Sequence, residues 1–298
     1  MFERFDHDQH RPSWPENKSG DQATRGERPG ITVITVTLNS ASVVSRAIES
    51  VLAQAVPGLE YVVIDGASRD ETRKIVESYR DRFQNGRLRV LSEPDAGLYD
   101  AMNKGIALAS GDVVGILNSD DRLLPGALDA ICDAFRKTNA DVVFGDVIVE
   151  GVWGSRTLKS TETGLDVAMT IAHPGCFVRR GAYRSWGTFD TTLRTAADYD
   201  LLLRFREAGA RFVRLDRVVA VFSEGGASSK SFSLAKEMFR VHRRHFPLTH
   251  AVKHAAVRFA LATYLTTRRA VGRLILGENG YARVRERMRG STGRRSIY

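Results

Sequence analysis

A short apolar run, Val113 to Leu117, stops abruptly at Asn118-Ser119-Asp120-Asp121, and this junction sets the strongest limit on how the chain can fold. A brief, nearly continuous apolar run suits a strand buried on both faces of a parallel sheet. Four polar residues then crowd the point where such a central strand emerges. Adjacent carboxylates repel, so two at one strand tip destabilise the fold unless a cation or hydrogen-bond donors offset the charge. The junction is therefore either a divalent-cation site holding a substrate phosphate or a polar turn capping the helix that starts near Pro125. Neighbouring segments decide between these readings.

Ile31 to Leu38 alternates Ile, Val and Thr, a strand pattern, and stops at Asn39-Ser40, residues suited to a helix N-cap. Val43, Val44, Ala47, Ile48, Val51 and Leu52 follow at helical spacing, and Pro57-Gly58 ends the helix. Tyr61 to Ile64 is a second apolar strand, ending in Asp65-Gly66-Ala67-Ser68. Ser68 and Glu71 have the spacing of a capping box for a helix over 69–83, and Leu88 to Leu91 is a third strand. This alternation predicts an α/β fold, an open and mostly parallel sheet with helices on both faces. Ligands of such sheets bind beyond the carboxyl ends of the strands. There the chain places Thr37-Leu38-Asn39, Asp65, Glu93-Pro94-Asp95-Ala96-Gly97 and Asp120-Asp121, so polar and acidic groups converge on one rim.

Several classes are disfavoured. No G-x-G-x-x-G follows the first strand, which argues against a dinucleotide site, and no G-x-x-x-x-G-K-[ST] makes a P-loop. Cys132 and Cys176 are too far apart for a metal knuckle and fit buried thiols in a reducing compartment. The net charge of +9 is uneven, with +13 between Lys230 and Tyr298 and −4 before it. Neither zinc-finger spacing nor an RNA-binding aromatic signature accompanies the basic part, so nucleic acid is not the expected partner.

Four blocks occur in order: Ile31-Thr-Val-Ile-Thr-Val-Thr-Leu-Asn39, Val63-Ile-Asp-Gly-Ala-Ser-Arg-Asp-Glu-Thr72, Ser92-Glu-Pro-Asp-Ala-Gly-Leu-Tyr-Asp-Ala-Met-Asn-Lys-Gly105 and Leu117-Asn-Ser-Asp-Asp121. Together they resemble the successive blocks of the family-two glycosyltransferases, and the third resembles the bacterial branch that builds surface polysaccharides and glycolipids. The likeness reaches from Ile31 to about Phe246. It implies a GT-A fold, an inverting, metal-dependent hexosyl transfer, and a nucleotide-sugar donor, with a UDP-sugar favoured and Mn²⁺ or Mg²⁺ as cofactor.

The resemblance also implies roles for individual residues. Asp65, with the backbone around Thr37 and Asn39, meets the base; Asp120 lies near the ribose; Asp121 is the metal ligand. Asn118 stands where the family often has an acid, and an uncharged amide oxygen there implies weaker metal binding. Asn103 and Lys104 lie near the donor, with Lys104 a point charge for a phosphate. His173 lines the site floor, and Gly226, in Gly225-Gly-Ala-Ser-Ser229, brings backbone amides to the diphosphate. In Ala196-Ala-Asp-Tyr-Asp200, Asp198 aligns with the catalytic acid and is expected to be the general base, with Asp200 the weaker candidate.

Residues 1–30 are charged, rich in Pro and Gly, lack the apolar stretch of a signal peptide, and are expected to be a disordered tail. Residues 31–246 form the expected GT-A domain and 247–298 a basic helical extension. Ala251 to Leu276 mixes apolar residues with Lys253, Arg258, Arg268, Arg269 and Arg273, too many charges for an easy membrane span of ~20 apolar residues. It suits either packing on the core or peripheral contact with an anionic membrane, which would place the enzyme in the cytoplasm at the inner face of the plasma membrane. The acceptor would then be a saccharide or a lipid-linked molecule. Two other readings stand beside this one: a sugar-phosphate nucleotidyltransferase, which lacks its usual Gly-rich phosphate loop here, and a non-enzymatic basic membrane- or nucleic-acid-binding protein.

Overall fold

The computed structural model describes residues 28–83, 87–151, 154–224 and 231–254. They fall in two compact units divided after Lys230. The first is built on β1 (Ile31–Thr37), α1 (Val44–Leu52), β2 (Glu60–Asp65), α2 (Thr72–Ser78), β3 (Leu88–Ser92), α3 (Leu98–Leu108), β4 (Val113–Ile116), β5 (Arg122–Leu123) and α4 (Ala127–Lys137). It continues through β6 (Val142–Gly151), β7 (Gly154–Leu158), β8 (Cys176–Arg179), α5 (Arg180–Trp186), α6 (Ala197–Glu207) and β9 (Phe212–Ser223). In the second, α7 covers Ser231–His245.

One sheet runs β3-β2-β1-β4-β8-β6-β9-β5, with β7 added on β6. The half from β3 to β4 is parallel, as the strand and helix alternation requires. Direction reverses at β4: β8 pairs with it antiparallel, and β6 pairs antiparallel with β8 and parallel with β9. The whole is therefore a mixed α/β sheet: the first half is parallel throughout, and parallel pairing returns at β6 and β9 beyond the antiparallel β8. Every residue of β1 and β4 is buried, as expected for central strands. On α1, Val44, Ala47, Ile48 and Val51 form the buried stripe that seats the helix, and each large aliphatic side chain there contributes about 1.5–3 kcal/mol.

Two glycines set close approaches that place the site. A Cβ on Gly105 would lie 2.4 Å from Ile34, so its absence lets α3 press onto β1. A Cβ on Gly115 would lie 2.1 Å from the Phe177 ring, which crosses β4 from β8 at the point where the sheet changes direction.

The expected helix starts are corrected. Asn39-Ser40 does not cap α1 with a side chain; the helix begins at Val44, and only the Ser40 carbonyl receives the amides of Val43 and Val44. The Ser68/Glu71 capping box is not formed either. Ser68 Oγ donates to Asp65, Asp70 accepts the Thr72 amide, and α2 ends at Ser78 before a short 3-10 turn. These side chains are committed to joining loops, which a helix cap cannot do as well. Both cysteines are buried, as expected. Residues 1–27, Gly226 with its Gly-rich neighbours, and 255–276 lie outside the described residues. Among the described residues no helix is long and apolar enough to cross a membrane.

Candidate active site

The carboxyl ends of β1 and β2 are locked together by side chains. Asn39 N donates to Ser68 Oγ at 2.8 Å, Arg69 N to Asn39 Oδ1 at 2.9 Å, Ser40 N to Thr72 Oγ1 at 2.7 Å and Ala41 N to Asp70 Oδ2 at 3.1 Å. Two non-glycine residues there, Asn39 and Ala67, have φ of +50° and +59°. Left-handed backbone outside glycine costs about 1 kcal/mol or more, and it persists where surrounding bonds over-determine it, commonly at binding sites. Asp65 is the hub of this network. It is 1% exposed and accepts from Ser68 Oγ, from Ser68 N at 3.1 Å and from Ser92 Oγ at 2.7 Å. The residue expected to meet a base is thus engaged in fixing the tips of β2 and β3.

Thr37 and Asn118 stand at the ends of adjacent strands, β1 and β4, and each presents a buried polar atom, Thr37 Oγ1 and Asn118 Oδ1, without a hydrogen-bond partner. Burying such groups unpaired costs ~1–3 kcal/mol each, which a ligand on this rim would recover. Beside them the two aspartates differ. Asp121 is 1% exposed, accepts from Ser223 N at 2.9 Å and Asn118 Nδ2 at 3.2 Å, and is fastened to the end of β9. Burial lifts its carboxyl to about 7, the Asp120 charge adds to this, and the Ser223 and Asn118 donors oppose it. Asp120 is the more accessible of the two; its carbonyl accepts Ser223 Oγ at 2.6 Å. Ser119 Oγ meets Ser40 Oγ at 2.9 Å and ties this loop to the β1 loop.

Lys104 lies on α3, but its ammonium is already engaged by Asp95 at 2.7 Å, Glu93 at 2.9 Å and Asp100 at 3.3 Å, and by the Pro94 carbonyl at 2.9 Å. Burial works against the charge, yet the hydrogen bonds of Asp95 and Glu93 hold the ammonium above its ordinary range. The result is a pinned loop: the Asp95 carboxylate is held 2.9 Å from where a Gly66 Cβ would stand. Asn103 is likewise turned to the protein, giving Nδ2 to the Phe189 carbonyl at 2.9 Å and accepting the Phe189 amide at 3.0 Å. Sequence reading missed these uses because a lysine and an amide look the same whether they face a ligand or a neighbouring loop.

That clamp on Phe189 brings in the distant Asp198. It sits in the first turn of α6, half-buried, where Tyr199 N donates to Oδ1 at 2.8 Å and the Tyr99 hydroxyl at 3.3 Å. Burial raises its carboxyl to about 6, and the Tyr199 amide and Tyr99 hydroxyl pull partly back. Asp198 borders a mostly apolar cavity with Ile116 of β4, His173, Cys176, Phe189 and Leu202. His173 is a neutral member of that wall: burial lowers it to about 4, and its Nε2 has no hydrogen-bond partner. Ile116 lies two residues before Asn118, so the strand tip bearing Asp120 and Asp121 and the cavity beside Asp198 share β4. Asp200 has a separate task. It is 1% exposed and paired with Arg204 at 2.9 Å, whose other nitrogens reach the carbonyls of Trp186 and Thr188.

Known proteins share this fold and parts of this sequence. The family model described as Glycosyl transferase family 2 matches residues 32–193. A "PGL/p-HBAD biosynthesis glycosyltransferase" of Mycobacterium bovis is 32% identical over 209 residues, 68% of this chain and 80% of that protein. The chondroitin synthase of Pasteurella multocida is 28% identical over 201 residues, 64% of this chain and 20% of that protein. Among solved structures, S. aureus TarS 1-349 in complex with UDP-GlcNAc superposes with a TM-score of 0.60 at 20% identity, covering 76% of this chain and 70% of that one. Mannosyltransferase PcManGT from Pyrobaculum calidifontis, in complex with GDP-Man and Mn²⁺, gives 0.56 at 18% identity over 89% of this chain and 85% of that one. The solved structures establish the GT-A fold, and the sequence matches, over more than half of the chain, establish that it belongs to glycosyl transferase family 2.

Proposed function

We propose that the chain is an inverting glycosyltransferase that moves a hexosyl group from a nucleotide-diphosphate donor, a UDP-sugar by preference, to a hydroxyl of a saccharide or lipid-linked acceptor in cell-envelope polysaccharide or glycolipid synthesis. The observation that carries this reading is Asp198: a half-buried carboxyl lifted to about 6, bordering a cavity that shares β4 with the polar rim. A base of that strength is ionised at neutral pH yet basic enough to accept a proton in the transition state. The acceptor O–H gives its proton to Asp198 as the oxygen bonds to the anomeric carbon. The bond from that carbon to the diphosphate oxygen breaks on the opposite face, and its electron pair leaves with the diphosphate. One displacement of this kind inverts the configuration.

The donor belongs on the locked rim. Thr37 Oγ1 and the backbone at Asn39 are offered to the base and ribose side, with Asp65 holding the loop they stand on and Lys104 holding the Asp95 loop opposite. Asp120 lies beside the ribose and is the carboxylate best exposed to a cation, with Asp121 behind it and Asn118 Oδ1 as a neutral oxygen donor. This all-oxygen set, with an Asp121 carboxyl pushed up by burial and by Asp120, fits Mn²⁺ or Mg²⁺. Among the described residues no three acidic, His or Cys side chains converge, so a cation here would need further ligands from phosphate and water. When bound, the cation neutralises charge on the departing diphosphate. Gly226 remains a proposed diphosphate contact.

Transfer or hydrolysis assayed across a panel of nucleotide sugars, with Mn²⁺ or Mg²⁺, tests the reading. Asp120→Ala and Asp121→Ala are expected to weaken metal-supported UDP binding tenfold or more by calorimetry, because each removes a carboxylate that attracts the cation. Unchanged binding in both would reject the cation site.

For the second unit we propose peripheral contact with the inner face of an anionic membrane from the cytoplasm. Arg240 and Arg243 are exposed on α7, and beyond it Leu248 is 57% and Val252 51% exposed beside Lys253. Exposed aliphatics flanked by cations suit a headgroup layer. The full chain is expected to sediment with phosphatidylserine vesicles at low salt and to be released as salt rises; absence of binding at low salt removes the proposal.

A further inference from the structure

Tyr99 is the only link described above between α3 and Asp198, and it joins residues 99 positions apart. The ring is 5% exposed and stacked on Phe189, with centroids 5.3 Å apart and planes 26° from parallel. Phe189 is itself clamped at both its amide and its carbonyl by Asn103, one turn further along α3. The phenol is therefore fixed from two sides before its hydroxyl reaches Asp198. Both donors described at that carboxylate, the Tyr99 hydroxyl and the Tyr199 amide, arrive at the same oxygen, Oδ1.

We propose that Tyr99 is a positioning residue for the base: its hydroxyl anchors Asp198 Oδ1, so that Oδ2 is the oxygen that takes the acceptor proton. The assignment rests on the reading of Asp198 as the base. Two physical consequences follow. The carboxylate is held against rotation, and the ionised form gains a second donor beside the Tyr199 amide in otherwise apolar surroundings. A structural tyrosine filling space would supply neither.

The other titratable groups around Asp198 do not obscure a test. His173, from the 3-10 turn before β8, is lowered by burial to about 4; Cys176, on β8, is raised by burial to about 12, with the Asp198 charge adding. Tyr183, on α5, is raised above its ordinary range by burial, with Cys176 adding, and Tyr99 itself is raised by burial and by the Asp198 charge. Between pH 5 and 8, Asp198 is the member of this cluster that changes charge.

The experiment is a carboxyl ¹³C NMR titration of the full chain labelled at aspartate, with the Asp198 signal assigned by its loss in Asp198→Asn. Removing the hydroxyl while keeping the ring, in Tyr99→Phe, is expected to raise the Asp198 midpoint by about half a unit, the size of one modest hydrogen bond. Placing 3-fluorotyrosine at position 99 makes the phenol a stronger donor and is expected to lower the midpoint, and it serves equally if Tyr99→Phe does not fold. A midpoint that either change leaves in place overturns the assignment. The outcome is independent of whether Asp198 is the base: Asp198→Asn that retains transfer defeats that reading alone, and an unmoved titration beside an inactive Asp198→Asn defeats the role of Tyr99 alone.

Discussion

Asp198→Asn is expected to lower kcat by about 10²–10⁴ while leaving the affinity for the nucleotide-sugar donor unchanged, because the amide fills the same space but cannot take a proton. Steady-state transfer together with calorimetric donor binding separates the two effects. The wild-type pH profile carries a second signature of the same group. Burial raises Asp198 to about 6, above the ordinary carboxyl range, and under the proposed role as base transfer requires the ionised form. Activity should therefore be full at pH 8, fall by half near pH 6 and drop about tenfold per unit below it. An acid limb centred near pH 4 would mean that the base is an exposed carboxylate elsewhere.

The largest effect on stability is expected at Arg204→Met, about 3 kcal/mol, because the change takes from the buried Asp200 the guanidinium it pairs with and removes the donors to the Trp186 and Thr188 carbonyls. For a chain of this size that corresponds to a fall of order ten degrees in Tm. The pair is well shielded, with side chains 10% and 1% exposed, so added salt should screen little of it. Arg204 also accounts for the carbonyls of Trp186 and Thr188, and so holds the segment that leads into Phe189 against α6. Removing both charges together, in Asp200→Leu with Arg204→Met, is expected to restore part of the loss, since replacing a buried pair costs far less than breaking it. Thermal melts of the three variants decide this; a single variant within two degrees of wild type would show that the pair does not anchor the helix.

The half of the sheet from β3 to β4 was legible because each strand is a compact apolar run followed by a polar tip, and a buried parallel strand can be built from little else. The other half was legible only in part: Asp141 to Val149 and Val218 to Phe222 read as apolar strands and match β6 and β9, whereas β7 and β8 did not show. β7 is exposed at all five residues and carries no alternation, and β8 is four residues long and defined by partners on both sides of it rather than by its own pattern. Direction reverses at β4 for reasons of distant pairing that no local window contains. At the rim, the order of the polar blocks placed Thr37, Asp65 and Asp120-Asp121 at neighbouring strand ends, as the sheet has them, while the use of single residues was hidden. Ser68 fits a capping box by spacing but serves Asp65, and Lys104 fits a phosphate contact but pairs with Glu93 and Asp95 of the preceding loop and with Asp100 of its own helix. Such choices depend on which groups are already within reach, and reach is set by tertiary structure.

The reversal at β4 has a consequence for anyone wishing to recombine this molecule with its relatives. The parallel half and the rest of the sheet meet along a seam where β8 pairs antiparallel with β4. The seam has one mechanical demand: Phe177 crosses it through the space left by Gly115. A hybrid that inherits the aromatic ring from one parent and a side chain at position 115 from the other would wedge itself open, whereas a hybrid inheriting the two as a matched couple would close.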